Sequence, residues 1–557
     1  MPVLQFKGKT AVESHHYTVP HHTVEFDEKL SVLGKGAKPN LDGNVIIEGD
    51  NLLALKALLP THAGRIKCIY IDPPYNTGNE GWVYNDKLNQ PQFKEWIGQT
   101  VGKEGEDATR HDKWCCMMYP RLQLLRELLR EDGLIFVSID FTEVAYLRLL
   151  MDEIFGPENF LADIAWEKRY TRSNNAKLFY SLKDTILTYR KSGSVSELRE
   201  PRTEKTDGIY KNPDNDSRGD WTSSSYVNPA TKEERPNLVY PIKNPNTGAW
   251  VEHKTHAWKY SLEKHAEHVL ENRLWWSENG KAKYPRLKVF KSDEGVVPID
   301  LWHYQTTGTT DDGGTTVKQI FGSAVFETPK PVGLIRRILE LATEPNEQHI
   351  VFDSTAGSGS TAHAVLELNK EDGGNRKFIL VQQAYDNKEN EKEHLNICQK
   401  ITAERVHRVI KGYKYKTQSG KEQKVEGLGG SFTYARLGPP LFNEYRDLGE
   451  RLPSYEEIAK YVFYTETSRE FDQSRINRET GKIGEHNGAS YYLLYKASDE
   501  DDQACDMDWL RKVGAADANH KLVVYCEKVW LHQEDLAKYE FENGKQVRTM
   551  QVPFQLK

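Results

Sequence analysis

The chain has 557 residues, 38% of them hydrophobic and 28% charged, with a formal net charge of -7. That length allows several domains and a large core, and the composition is that of an ordinary soluble protein. No apolar run approaches bilayer length, no basic-then-apolar leader opens the sequence, and the six cysteines show neither a CxxC pair nor a Cys/His zinc spacing, so a membrane protein, a secreted protein and a zinc module are not expected. A reducing cytoplasm is the expected compartment. The acidic balance does not suggest a nucleic-acid partner; such a partner would require positive charge concentrated locally.

Residues 1–40 are polar and weakly periodic and read as an N-terminal arm. An α/β rhythm follows. Val45–Glu48 reads as a strand, Asp50–Leu59 as a helix N-capped by Asp50, and Ile66–Ile71 as a buried strand. Trp114–Arg130 carries apolar residues at helical spacing, Asp132-Gly133 stops it, and Leu134–Ile139 is the next strand. Glu143–Ile154 is again amphipathic. After about residue 165 the rhythm is lost. Residues 166–320 are polar, turn-rich and aromatic, and Gly308–Thr316 (GTTDDGGTT) reads as a mobile loop. The rhythm resumes with a helix at Pro331–Ala342, a strand at His349–Phe352, a glycine-rich turn, a helix at Thr361–Leu368, a strand at Phe378–Val381 and a helix at Asn396–Ile410. Beyond 426 the pattern is mixed, with strand-like runs at Tyr491–Tyr495 and Leu522–Tyr525. The acidic run Asp499–Asp502 reads as a solvated loop. The divisions expected are therefore 1–40, 41–165, 166–320, 321–425 and 426–557, an α/β domain interrupted by an insertion and followed by a mixed α+β piece.

Two motifs carry chemistry. Asp72-Pro73-Pro74-Tyr75 follows the Ile66–Ile71 strand. Two prolines force the chain out of the sheet, because they cannot donate to a ladder. The Asp72 carboxylate and the Pro73 carbonyl can then grip the two hydrogens of an amino group, with Tyr75 stacking on the ring that bears it. The second motif, Asp353-Ser354-Thr355-Ala356-Gly357-Ser358-Gly359, lies between a strand and a helix, where glycines allow close backbone approach to a ligand. A tight turn without a ligand is the alternative reading. No Walker A pattern is present, so ATP is not the expected ligand.

Together the motifs resemble the β-class amino-methyltransferases of DNA, in which the DPPY motif precedes the target-recognition domain and the cofactor motif comes last. A closer resemblance is to the Mod subunits of type III restriction–modification systems. It runs from about residue 45 to 410 through Gly49-Asp50-Asn51-Leu52, DPPYNTG, MYPRLQLLRELLREDG, VSID, WEKRYTRSNNAK, YKNPDND, FETPKPVGLI and GSGSTAHAVLELNKEDGGNRKFILVQ. The resemblance implies a Rossmann-like methyltransferase sheet with helices on both faces and an inserted target-recognition domain. It implies S-adenosylmethionine as cofactor, with Asp353 at its amino group, Thr355, Ala356, Gly357, Ser358 and Gly359 around it, Gln382 at the ribose, and Thr328 and Lys330 at the methionine carboxylate. Two departures stand out: Thr355 replaces the family's usual aromatic, and Gln382 replaces its usual ribose-binding acid.

The implied reaction is methyl transfer to N6 of a flipped-out adenine, with Asp72, Pro73, Pro74 and Tyr75 as the catalytic set. The basic, amide-bearing cluster Lys168, Arg169, Tyr170, Arg172, Asn174, Asn175 and Lys177 is the expected DNA contact; a solvated basic loop is the alternative. Asp50 is either a plain N-cap or a neighbour of the target base. Expected partners are double-stranded DNA, a second copy of the chain, and a helicase–nuclease subunit. Alternatives are a solitary or type II adenine methyltransferase, an enzyme of another phage-defence system, and a non-catalytic DNA-recognition subunit.

Overall fold

A computed structural model describes residues 3–77, 110–172, 177–385, 388–417, 419–442, 452–495 and 504–552. Asn174, Asn175, Gly78 and the acidic run 499–502 lie outside the described residues.

Ten strands form the main sheet: β1 (His22–Val32), β2 (Val45–Glu48), β3 (Ile66–Ile71), β4 (Leu129–Ile139), β5 (Phe160–Glu167), β6 (Lys183–Arg190), β7 (Leu301–Trp302), β8 (Ile350–Asp353), β9 (Lys377–Gln382) and β10 (Phe432–Pro440). Their order is β1-β10-β2-β9-β8-β3-β4-β6-β5-β7. The run from β10 to β4 is parallel, and β6 is antiparallel to both its neighbours. The central strands read VIIE, IKCIYI, IVFD and KFILVQ. They are apolar on both faces, as a sheet covered on both sides requires.

Helices α1 (Asn51–His62), α2 (Arg110–Leu128) and α3 (Val144–Phe155) pack as one group, and α4 (Val332–Ala342) and α5 (Ser360–Asp372) as another. Asp50 N-caps α1, its Oδ1 accepting from the amides of Leu52 at 2.8 Å and Leu53 at 3.2 Å.

Several features depart from the sequence expectation. The GTTDDGGTT stretch is not a loop but the start of a helix, Thr310–Phe321. Its capping box pairs the Thr309 hydroxyl with the Asp312 amide, and the Asp312 carboxylate with the Thr309 amide. Gly313 serves proximity rather than flexibility, since a Cβ there would lie 2.1 Å from the Pro329 carbonyl oxygen. The residues preceding 40 are not a free arm, because β1 pairs antiparallel with β10. β4 begins at Leu129, five residues before the expected start. Asp132 does not simply break the chain there, as its carboxylate accepts from Lys67 at 2.9 Å.

The chain separates into two compact units, 1–196 with 299–557, and 197–298. The segment expected as 166–320 thus divides between them, with β5 ending at Glu167, β6 and β7 all belonging to the sheet unit. The smaller unit holds a three-stranded antiparallel sheet (Trp221–Ser225, Arg286–Phe290, Leu274–Trp275) over a core of Tyr226, Tyr240, Ile242, Trp258, Trp276 and Leu287. Its YKNPDND segment forms a charge cluster: Lys288 is buried and bonds Asp214 and Asp216, the latter at 2.9 Å. In the larger unit, Ala489–Leu494, Lys521–Cys526 and Gln546–Gln551 form a parallel array with Lys482–His486 at its edge, which is the mixed C-terminal piece. β10, expected in that piece, instead completes the main sheet.

Candidate functional site

β3 and β8 are adjacent and parallel, so the two motifs emerge side by side at one edge of the sheet. From β8 the strand order runs to β9 and β2 on one side, and from β3 to β4 on the other. This is the reversal point where α/β sheets open a ligand crevice. The motifs are also directly joined, the Asp72 amide donating to the Thr355 hydroxyl at 2.8 Å. At the position where the family usually carries an aromatic, this chain places a hydroxyl that holds the first residue of DPPY.

Around Asp72 the arrangement is strongly polar within an apolar wall. Lys330 Nζ bonds Asp72 Oδ2 and lies 5.2 Å from the centre of the Tyr75 ring. Asp72 Oδ1 is buried and has no hydrogen-bond partner among the described residues. Pro73 is buried, and Trp114 Nε1 donates to the Pro74 carbonyl at 2.7 Å, fixing the exit of the turn. The Tyr75 hydroxyl reaches Asp184 Oδ2 at 3.5 Å. Burial raises the Tyr75 phenol well above its usual range, and the charges of Asp72 and Asp184 add to this.

Two further groups support this turn. Asp184 is buried and its carboxyl is pushed up by burial, opposed by Lys168 Nζ at 2.5 Å. Glu143, fully buried, accepts from Asn76 Nδ2 and pairs with His111 Nδ1 at 2.7 Å. Asn76 sits at φ 57°, a left-handed conformation that Asn tolerates, and the bond to Glu143 holds it there. Burial raises the Glu143 carboxyl, with Asn76 and His111 opposing. Neither Glu143 nor Asp184 is marked in the sequence. Both lie far along the chain from Asp72, and only the sheet register brings them near it.

The second motif is built around Asp353, 2% exposed at the end of β8. Its Oδ1 accepts from the Thr355 amide at 3.0 Å and its Oδ2 from the Thr361 hydroxyl at 2.5 Å. Burial nevertheless raises its carboxyl to about 7, the neighbouring Asp72 charge contributing in the same sense. Ala356 donates its amide to Val381 at 3.1 Å. Gly357 has φ 51° and Gly359 φ 80°. A Cβ on Gly357 would lie 3.0 Å from Phe326 Cζ.

The Gln382 carboxamide accepts from the Gly357 amide at 2.7 Å, so this side chain shapes the glycine turn directly. Ser358 turns inward, its hydroxyl accepting from buried Arg405 at 2.8 Å; the same guanidinium reaches Ser360 at 2.9 Å. Thr328 is exposed at φ 46°. Asn51 ties the N-cap of α1 to this motif by donating to the Ser354 carbonyl at 3.1 Å.

Of the expected DNA contacts, Lys168 is bound to Asp184 and Arg169 to the Tyr180 hydroxyl. Tyr170 is 59% exposed and rests on Tyr304, with ring centres 5.2 Å apart. Arg172 and Lys177 are exposed. Among the described residues, no His/Cys/Asp/Glu group could hold a metal, and no helix is long and apolar enough to cross a membrane.

Residues 66–400 match a family model described as DNA methylase. Relatives include the type III restriction-modification enzyme StyLTI Mod subunit of Salmonella typhimurium, 33% identical over 66% of this chain and 57% of that protein. The EcoPI Mod subunit of Escherichia phage P1 is 31% identical over 61% of this chain and 57% of its own length. The type II methyltransferase M.KpnI of Klebsiella pneumoniae is 31% identical over 60% and 79%. The chain thus spans little more than half the length of the Mod relatives it matches. Among solved structures, the cytosine-N4-specific PvuII DNA methyltransferase aligns over 66% of this chain and 92% of its own at 13% identity, with a TM-score of 0.31. With the match covering well over half of its residues, the chain belongs to the DNA methylase family.

Proposed function

We propose that the chain methylates N6 of a flipped-out adenine in double-stranded DNA, using S-adenosylmethionine, as the modification and recognition subunit of a type III restriction–modification system. The observation that carries this reading is the joining of the two motifs, Asp72 and Asp353 ending neighbouring parallel strands, with the Asp72 amide on Thr355. The residues fit the cofactor: a glycine turn at positive φ, where a Cβ would press on Phe326 and Thr402, beside a buried carboxylate at the strand end. Asp353 stands for the amino group, the 355–359 backbone for the amino-acid end, and Gln382 for the ribose. When bound, S-adenosylmethionine supplies an electrophilic methyl group.

The chain's own residues then act on the amine. Asp72 Oδ1, buried and unpartnered among the described residues, accepts one N6 hydrogen, and the Pro73 carbonyl accepts the other. Holding both hydrogens localises the nitrogen lone pair and points it at the methyl carbon. With S-adenosylmethionine held by Asp353, the 355–359 turn and Gln382, its methyl would pass to N6 as the C–S pair returned to sulfur, and the extra N6 proton would leave afterwards through Asp72. Catalysis is chiefly positioning for an in-line displacement. Tyr75 stacks on the flipped ring, which requires Lys330 to leave its place over the Tyr75 face.

The compact unit 197–298 and the flanking basic residues are the proposed target-recognition part. A second copy of the chain, a helicase–nuclease subunit and a cytoplasmic location complete the proposal. A second reading, a DNA-recognition subunit without catalysis, is favoured by the replacement of the ribose-binding acid by Gln382, whose carboxamide is engaged by Gly357.

The test is expression in a methylation-free bacterium followed by long-read detection of modified adenine. N6-methyladenine on one strand of a short asymmetric site is the expected result, and Asp72→Ala should abolish it. A palindromic site modified on both strands would favour a solitary or type II enzyme. Unmodified DNA despite cofactor binding in titration would overturn the catalytic reading.

A further inference from the structure

Ahead of β6, the described residues 177–182 present two apolar side chains entirely to solvent: Leu178 is 93% exposed and Phe179 fully exposed. This segment is anchored at its root. The Arg169 amide donates to the Leu182 carbonyl at 3.3 Å, the Arg169 guanidinium bonds the Tyr180 hydroxyl, and Lys168 pairs with buried Asp184. Asp184 in turn receives the Tyr75 hydroxyl, so the root of the segment is bonded to the DPPY turn itself. Phe141, 77% exposed at the carboxyl end of β4, lies on the same sheet edge, since β4 runs parallel to β3 and neighbours β6.

A fully exposed Leu-Phe pair is unfavourable in water, and among the described residues nothing covers it. The residues around it indicate what does. Arg172 and Lys177, which precede the pair in the chain, are exposed cations suited to nearby phosphates. Extruding a base leaves a gap in the stack, which proteins fill with apolar wedges such as Phe and Leu.

We propose that Leu178 and Phe179 form the wedge that enters the duplex where the target adenine has left. This rests on the proposed adenine methylation and adds the residues that stabilise the flipped state. The bonds through Lys168, Asp184 and Tyr75 tie the root of this segment to the DPPY turn.

The test uses the full-length protein, the variant Leu178→Ala/Phe179→Ala, and Asp72→Ala as a control. The duplex carries the methylated site or, if no modification is found, a site selected by repeated binding from random duplexes. 2-Aminopurine at the target position reports flipping without any chemistry. Wild type should raise its fluorescence, and the double variant should lose most of that rise. Methyl transfer by the double variant should fall at least 10-fold on a paired target and recover to within about 3-fold of wild type when the target faces an abasic site, because extrusion is then easy. Asp72→Ala should not recover.

Equal flipping and equal rates in the double variant would overturn the wedge and leave the methylation reading intact. Equal losses on paired and unpaired targets would also overturn it, reducing the pair to a general contact. Flipping that depends on the pair, without methyl transfer by wild type, would uphold the wedge and refute the methylation reading.

Discussion

Asp353 is a carboxylate kept where a neutral group is more comfortable. Burial raises its pKa from 3.8 to about 7, roughly three units, which corresponds to a ceiling of about 4 kcal/mol between its two protonation states. Because the folded value lies above the unfolded one, the stabilising preference for the protonated form is fully present below pH ~4 and is lost as pH rises through about 7. Asp353→Asn removes the charge and can keep both contacts, Oδ1 accepting from the Thr355 amide and Nδ2 donating to the Thr361 hydroxyl. At pH 8 the variant should therefore melt higher than wild type, by up to about 4 °C at the ceiling for a unit of this size, while at pH 4 the two should nearly coincide. Its affinity for S-adenosylmethionine at pH 8 should nevertheless fall, by the order of 100-fold, since the amino group loses a charged partner. Thermal melts across pH 4–8, paired with calorimetric titration of the cofactor, read both effects. A stability gap independent of pH would refute the assignment of a buried, strained charge; unchanged cofactor affinity would refute its proposed role.

Three other predictions concern the surrounding shell. Glu143→Ala should lower stability by about 1–3 kcal/mol, because Asn76 and His111 lose their shared acceptor, and should slow methyl transfer more than it weakens DNA binding; melting and single-turnover assays check this. Gly357→Ala meets Phe326 at 3.0 Å and strains a positive φ, so cofactor affinity should drop at least 10-fold in equilibrium dialysis while the circular dichroism spectrum stays that of wild type. Lys330→Met leaves Asp72 without its cation and clears the face of Tyr75. If Lys330 must move aside for adenine and then bind the cofactor's carboxylate, the KM for cofactor should rise several-fold while affinity for DNA is kept, and steady-state kinetics separate the two.

Most of the sheet was legible because its central strands are apolar runs bounded by motifs, and a parallel strand buried on both faces leaves that mark. Val45–Glu48, Ile66–Ile71 and the strand ending at Asp353 stand where the sequence places them, and Asp50 caps its helix. Short-range composition misled at 308–316, where glycine suggested flexibility but Gly313 is needed for the approach of Pro329. It also misled at β1, an edge strand, and at β10 beside it, whose half-exposed patterns resemble an arm and a tail. The two DPPY-side supports, Glu143 and Asp184, were invisible for a different reason. A buried acid beside an active site differs from a surface acid only in what the fold brings to it.

The pairing of β3 with β8 has a consequence for how the protein is made. β3 leaves the ribosome roughly 280 residues before β8, which at ~5–20 residues per second is about 15–60 s of synthesis. Throughout that interval the apolar edge of β3 has no neighbour on one side, and the half-built sheet is open to any strand that passes. The centre of the sheet therefore stays open until β8 and β9 are made, and the nascent chain depends on shielding, by chaperones or by its own later segments, beside the turn that carries Asp72.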